Sequence, residues 1–461
     1  MRFRLLSAGL VVAHLALSGC ATAPFPLDNA PAPVRDCLDK YARLDAVLES
    51  AGVRDAQEHR LGGFPYLRVN RFVASFRDAA RTDAATRDAM LTGMVALDVH
   101  ARQFERANLP DDMRSALGDL TLESCSMALT QFDRASPERM NAILDRAKVP
   151  EAYAAWKRAA GLYAITSIPF RWGARQWERS THTTFETVPT ASLTRWLPPP
   201  EESALITRHA PVFEIDARTG DDRFGAPHWT SQGIGIDAQS PVVFTQVSHT
   251  RFEGRTLAQL TYTLWFPSRP KDGPIDLLAG RLDALMVRLT LDHDGQVLVA
   301  DSIHACGCYH QFFPSARLTA RPAPNPQDEW AFVPALLPAL KEGQRLVFRL
   351  ATGSHYLTGI GVEHIHGSNG ANYALRSADT LRSLPLPDSA GRRSLYGPDG
   401  FIAGTERGER FLFWPTGIAS PGAMRQWGHH ATAFVGRRHF DDADLMDARF
   451  ARVTDNAPLK P

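Results

Sequence analysis

The sequence predicts an α+β protein: an N-terminal helical bundle followed by a mostly antiparallel β-sandwich or barrel-like domain. Three observations carry that reading. Between residues 34 and 165 the apolar positions recur at i, i+3 and i+4, the spacing of amphipathic helices. From about Val242 they recur at every second position and are punctuated by Pro and Gly, as in half-buried strands. Within that second region, Asp292-His293-Asp294-Gly295 sits between Leu289-Thr290-Leu291 and Gln296-Val297-Leu298-Val299, a strong hairpin signal. A chain of 461 residues with 44% hydrophobic content has material for two or three cores, and no internal repeat of fixed period is visible.

The first positions have the form of an export signal. Arg2 and Arg4 give a positive start, and Leu5 to Leu17 an apolar core too short for a mature membrane helix. The stretch ends Leu17-Ser18-Gly19-Cys20, which resembles the lipobox of bacterial lipoproteins. The resemblance covers residues 1–20 alone. It implies a signal peptide over 1–19 and acylation (palmitate class) of Cys20, which becomes the mature N-terminus. Such an anchor carries more than one acyl chain and tethers without spanning. Ala21 and Thr22 follow the cysteine where an Asp would resemble the inner-membrane retention signal, so the resemblance implies a cell-envelope address at the outer membrane, facing the periplasm. The other expected partner, a protein, has no signature.

Residues 20–33, with a Pro/Ala-rich stretch from Pro24 to Pro33, are read as a tether. A helical domain follows over 34–165. Its helices are expected at Asp36 to Ser50, Thr86 to Arg106, Asp111 to Phe132, after Ser136-Pro137-Glu138 (an N-cap residue and a proline at the first helical position), and from Pro150-Glu151, with Tyr153, Trp156 and Leu162 on its apolar side. Residues 166–229, with Trp172, Trp177, Trp196 and the Pro198-Pro199-Pro200 run, are read as connecting chain. The β-rich domain occupies 230–461, with strands at Val242 to Val247, Leu257 to Phe266, Leu285 to Leu291, Leu346 to Ala351, Leu357 to Glu363, Arg410 to Trp414 and Ala431 to Val435. The run Phe411-Leu412-Phe413-Trp414-Pro415 is expected in the core.

Charge excludes one class of partner. Lys+Arg 51 against Asp+Glu 50, with no basic block, argues against nucleic acid. Of five cysteines, the four beyond Cys20 would sit in an oxidising compartment and fall into two pairs, Cys37 with Cys125 and Cys306 with Cys308. Each of the first two lies in a predicted helix, so a staple between helices is expected.

The densest chemistry is Ile303-His304-Ala305-Cys306-Gly307-Cys308-Tyr309-His310. If the run is extended, His304, Cys306, Cys308 and His310 share one face. Thiolate and imidazole are the ligand set of Zn and of Cu. Four ligands on one flat strand cannot close on one ion, so either the run bends, with Gly307 the natural place for a bulge, or some of the four drop out and Cys306 and Cys308 are joined by one or two histidines from elsewhere. A second pair, His364 and His366 in Glu363-His364-Ile365-His366, resembles the His-x-His of cupin-like sites and could complete a site with Cys306 and Cys308 if the strands were neighbours. Two readings stand beside the metal. Cys306 and Cys308 could be an exchange-active thiol pair, or they could close a core as a structural staple of an envelope interaction or scaffold protein. Asp301, facing away, is expected to partner a nearby Arg. His209, His228, His249, His355 and His429-His430 are weaker candidates. No Gly-x-Ser-x-Gly, His-Glu-x-x-His, Walker loop or Gly-x-Gly-x-x-Gly is present, so no catalytic residue is assigned and an enzymatic activity is neither indicated nor ruled out.

Overall fold

The computed structural model describes residues 30–118, 121–185, 193–200, 204–322, 331–364, 369–432 and 437–453. The chain is α+β. Helices fill most of the first third, and two larger sheets, neither closed on itself among the described residues, occupy the remainder.

The helices follow the apolar spacing. Ala32–Ser50 buries Val34, Cys37, Tyr41, Leu44 and Leu48 on one face. Ala84–Ala107 is capped by Asp83, whose carboxylate accepts the N–H of Thr86. The predicted span from Asp111 to Phe132 divides into Asp111–Leu117 and Glu123–Arg134; the first ends at Gly118, whose φ of +58° an ordinary residue rarely adopts. Ser136 caps Pro137–Arg146 by accepting the N–H of Arg139, as its position before a proline predicts. Cys37 and Cys125 are joined in a disulfide, with Cα atoms 5.1 Å apart, inside the core formed by Tyr41, Phe64, Tyr66, Met94 and Leu129.

Two expectations about the middle of the chain change. Residues 166–185 are not irregular, because one helix, Tyr163–Phe185, runs through the expected boundary with Pro169 inside it. Thr194–Leu197 and Val212–Ile215 are not connectors either; they are strands of the five-stranded sheet.

That sheet has the order Leu357–His364, Gln344–Leu350, Val212–Ile215, Thr194–Leu197, Ala371–Asn372, and is mixed, since Gln344–Leu350 runs parallel to Val212–Ile215. The six-stranded sheet has the order Gln311–Pro314, Val297–His304, Gly280–Leu291, Arg255–Arg269, Val242–Phe252, Ala374–Ser377, antiparallel except for its last pair. Phe213, Phe348 and Leu350 of the first sheet and Leu260, Tyr262, Leu285 and Val287 of the second share one buried cluster. The predicted turn at Asp292–Gly295 is present: Asp292 N–H donates to Gln296 O, and Gly295 takes φ +77°.

The last stretch departs most from expectation. Arg410–Phe413 is a short helix, not a strand, and Ala431 makes a single bridge to His439 while residues 433–436 lie outside the described residues. Phe411 and Leu412 are 73% and 49% exposed, so this run is surface and not core. From Ala378 the chain runs back across the helices. Arg382 pairs with Asp55 (2.7 Å) and Glu58 (3.2 Å), and Arg71 with Asp441 (3.0 Å).

Candidate functional site

The stretch from His304 to His310 is a tight turn between two strands. Val297–His304 pairs antiparallel with Gln311–Pro314, in register Ser302 to Gln311. Between them Gly307 N–H donates to His304 O (2.8 Å) and His304 N–H donates to Cys308 O (3.0 Å). Gly307 has φ +87°, and a Cβ there would meet the Ala431 carbonyl oxygen at 2.4 Å. The expected bend at Gly307 is therefore sharper than a bulge, and the expected common face for His304, Cys306, Cys308 and His310 does not form.

The turn instead sends the two histidines to different carboxylates. His304 Nδ1 lies 3.6 Å from Asp283, and His310 Nε2 lies 2.9 Å from Asp301. Asp283 is fully buried and also accepts from His355 Nδ1 (2.8 Å) and Arg407 Nη2 (2.9 Å). Burial opposes its charge, but Arg407 and the two imidazoles hold its carboxyl well below the usual carboxylate range. Burial lowers His304 below the ordinary histidine range, which favours the neutral ring, and its Nε2 is buried with no hydrogen-bond partner. Tyr309 and Tyr356 stand edge-on to that ring at 5.5 and 5.4 Å, and Arg269 donates to the Tyr356 hydroxyl (3.0 Å); these three half-buried side chains form the outer wall.

Asp301 does partner an arginine, as its orientation predicts. Arg288 donates to it through Nε (3.0 Å) and Nη2 (2.6 Å), and rests its guanidinium on Phe440. His310 joins this pair as a neutral donor, since burial pushes its pKa down to about 3.

Cys306 and Cys308 are both free thiols, both buried, among Ala305, Leu282, Ala284, Met424 and Ala431. Their side chains hydrogen-bond to each other. Sharing the Cys308 proton, with help from nearby Arg407, draws the Cys306 thiol below its ordinary value; the same sharing, with burial, pushes Cys308 well above. Glu409 lies close by. Burial pushes its carboxyl up to about 6 against the pull of Arg407, Arg269 and Arg425.

The other predicted ligands do not meet this turn. His364 is exposed at the end of Leu357–His364, opposite Gln344, in the five-stranded sheet, whereas Cys306 and Cys308 follow a strand of the six-stranded sheet. The condition that the two strands be neighbours is not met, and His366 lies outside the described residues, as does Cys20. Among the described residues no group of three or more His, Cys, Asp and Glu is arranged to hold a metal ion.

Asp283, Arg407, Glu409 and Arg425 were not singled out from sequence. One signal was available for the first: Asp283 interrupts the apolar run Leu282-Asp283-Ala284-Leu285-Met286-Val287, and a charge buried in such a run must find a partner. The others arrive from over 100 residues away, beyond the reach of local pattern.

A second concave region follows the seam between the helices and the C-terminal stretch. A cavity of about 460 Å³ is lined by, among others, Glu58, His100, His249, Asp379 and Trp427. One of about 310 Å³, lined by Arg54, His59 and His429 among others, shares Arg71 and Asp441 with the first. Within the seam burial raises the Glu58 carboxyl, while a hydrogen bond donated by the His100 ring to the Asp379 carboxylate raises His100. Neither cavity is lined by Cys306 or Cys308.

No protein-family model matches the chain, and no curated protein matches it. A solved structure described as a toxin fold for microbial attack and plant defense aligns with 42% of this chain and 82% of its own, at 13% identity and a TM-score of 0.22. Likeness at that score carries no argument about fold or function.

Proposed function

We propose that this is a lipid-anchored protein of the cell envelope, held by acylated Cys20, whose chemically active element is the Cys306–Cys308 dithiol. The observation that carries the reading is a pair of free, buried thiols, hydrogen-bonded to each other across Gly307 at the tip of a tight turn, where the bond that lowers one thiol raises the other. A thiolate is the form that reacts with oxidants and with soft metal ions.

The primary reaction on this reading is oxidation by a small peroxide. The Cys306 thiolate attacks one peroxide oxygen, giving a sulfenic acid and hydroxide. The Cys308 thiol then displaces the hydroxyl as water and closes the disulfide. Overall two thiols and one peroxide become one disulfide and two waters. Both thiols are buried, which favours a small oxidant over a protein thiol as the partner. A Cys/His site for Zn or Cu, serving metal handling or stabilisation, is the second reading. It is favoured by the unpartnered Nε2 of buried His304, two residues from Cys306, although His304 and His310 face different carboxylates. If both readings fail, an envelope scaffold remains. The finer architecture proposed with it is a helical bundle stapled by Cys37–Cys125 and a β-sandwich, supported by the core that the two sheets share.

The test is a thiol count with intact mass and metal content on purified protein. After a stoichiometric peroxide dose the redox reading expects both thiols lost with a mass fall of two hydrogens, and no such change in Cys306→Ser. Thiols that persist through excess peroxide, without bound metal, would leave the scaffold reading. About one Zn or Cu per chain that vanishes in the Cys306→Ser, Cys308→Ser variant would establish the metal.

A further inference from the structure

The helix Tyr163–Phe185 turns its apolar stripe outward. Ile165, Ile168 and Trp172 follow helical spacing and are 64%, 55% and 66% exposed, while the buried residue of the same stretch is polar Ser167. Trp156, on the preceding short helix, and Phe411, on Arg410–Phe413, are exposed as well. The elements that carry these side chains pack against one another. Ala154 N–H donates to Gly417 O (2.9 Å), Arg158 Nη1 donates to Thr416 O (3.1 Å), Phe170 meets Phe413 edge-on at 5.0 Å, and Gly161 packs so closely on Pro415 that a Cβ would lie 2.6 Å from it. A joined set of this many large exposed apolar side chains marks a docking surface.

Its charge identifies the occupant. From Ala152 to Gln176 the sequence carries Lys157, Arg158, Arg171 and Arg175 and no acidic residue, and Arg410 adds a further positive charge beside Phe411. Lys157 and Arg410 lie against the rings of Trp156 and Phe411. Exposed tryptophan and isoleucine with Lys and Arg close by in the same elements is the composition of a surface lying in the headgroup layer of an anionic membrane. We propose that this face rests on an anionic phospholipid bilayer. It rests on the anchor reading for proximity alone: the ten residue steps from Cys20 to Ala30 reach at most about 35 Å when extended, enough to keep the body against the bilayer that holds the acyl chains. The surface then fixes which side of the body faces the membrane.

The test uses the full acylated protein in phosphatidylcholine vesicles with and without phosphatidylglycerol, the acyl chains brominated near the headgroup. Among the described tryptophans, Trp156, Trp172 and Trp414 are exposed on these elements, so partial quenching of the emission is expected, in the anionic vesicles and weakened by high salt. Trp156→Phe with Trp172→Phe should remove most of that quenching. Ile168→Glu with Trp172→Glu should abolish it while the melting temperature stays unchanged, since both side chains are exposed. Full emission in bromolipid, equal quenching in neutral vesicles, or quenching that survives the glutamate variant would each overturn the proposal. So would a lipid-free dimer, by sedimentation, that the glutamate variant dissociates. The mass of the N-terminal peptide separates the two readings: without an acyl group the anchor fails, and flotation of the same protein with anionic vesicles decides the surface by itself.

Discussion

Removing the Arg382 guanidinium tests whether the seam is held by buried charge. Arg382 is 1% exposed; it pairs with Asp55 at 2.7 Å, Glu58 at 3.2 Å and Asp379 at 3.0 Å, and lies 4.3 Å above the Phe104 ring. Arg382→Met keeps the apolar stem and leaves two buried carboxylates uncompensated. Breaking a buried pair costs about 3–5 kcal/mol. Asp55 keeps the N–H of Gln57 (3.0 Å) and Glu58 keeps Gln57 Nε2 (2.8 Å), which places the loss near the lower end, about 3 kcal/mol at pH 7. The pH dependence has a definite sign. Burial already raises the Glu58 carboxyl above its ordinary 4.5, and loss of Arg382 raises it further. A raised carboxyl favours the folded state fully below its unfolded pKa, and that advantage is lost as pH rises through the folded value. The destabilisation should therefore be smaller at pH 5 than at pH 7. Urea unfolding at both pH values measures it, and Arg382→Met with Glu58→Gln should recover part of the loss. A cost under about 1 kcal/mol at pH 7, or a double variant no better than the single one, would refute the reasoning.

Three further outcomes are expected. The Cys37–Cys125 link closes a separation of 88 residues, for which the chain-entropy relation gives about 4.6 kcal/mol, so Cys37→Ala with Cys125→Ala should lower unfolding free energy by up to that amount in denaturant titration. Gly307→Ala should cost about 2 kcal/mol or more, because φ +87° and the Ala431 oxygen at 2.4 Å both oppose a side chain; a melt unchanged from the parent would mean the turn can shift. Glu409, with its carboxyl raised by burial to about 6, favours the folded state below pH 4.5 and loses that contribution as pH rises through about 6. Glu409→Gln should flatten stability across that window and gain about 2 kcal/mol at pH 7, read from urea midpoints between pH 4 and 8.

Much of the fold was legible where local pattern and packing agree. The Ser136-Pro137 start, the Asp292–Gly295 turn and the long strands from Val242 to Leu291 each need no partner beyond their neighbours in sequence, and each lies where it is predicted. Cys37 and Cys125 were legible because few residues could pair. Legibility failed where sequence distance enters. Val212–Ile215 is a strand because Gln344–Leu350 lies alongside it, and nothing near Val212 announces that. Apolar runs misled in the other direction: Arg410 to Trp414 matches a buried strand in composition, yet it is an exposed helix. At the Cys/His turn the residue types were legible and their geometry was not, since the destinations of His304 and His310 were set by Asp283 and Asp301.

The return of the chain over its own beginning has a consequence for biogenesis. Asp55 meets Arg382, Arg71 meets Asp441, and Leu318–Ala320 pairs with Phe450–Arg452 within a few residues of the described end. Contacts separated by 327 and 370 residues, as the first two are, form slowly, because the intervening loop must close before they gain anything. Until the stretch from Arg382 to Asp441 has been synthesised, the seam lacks one wall and the helices lack their outer ionic partners. A polypeptide read as crossing a membrane before it folds gains from such lateness: it stays threadable while the translocation channel holds it, and locks once the stretch from Arg382 to Asp441 has emerged on the far side.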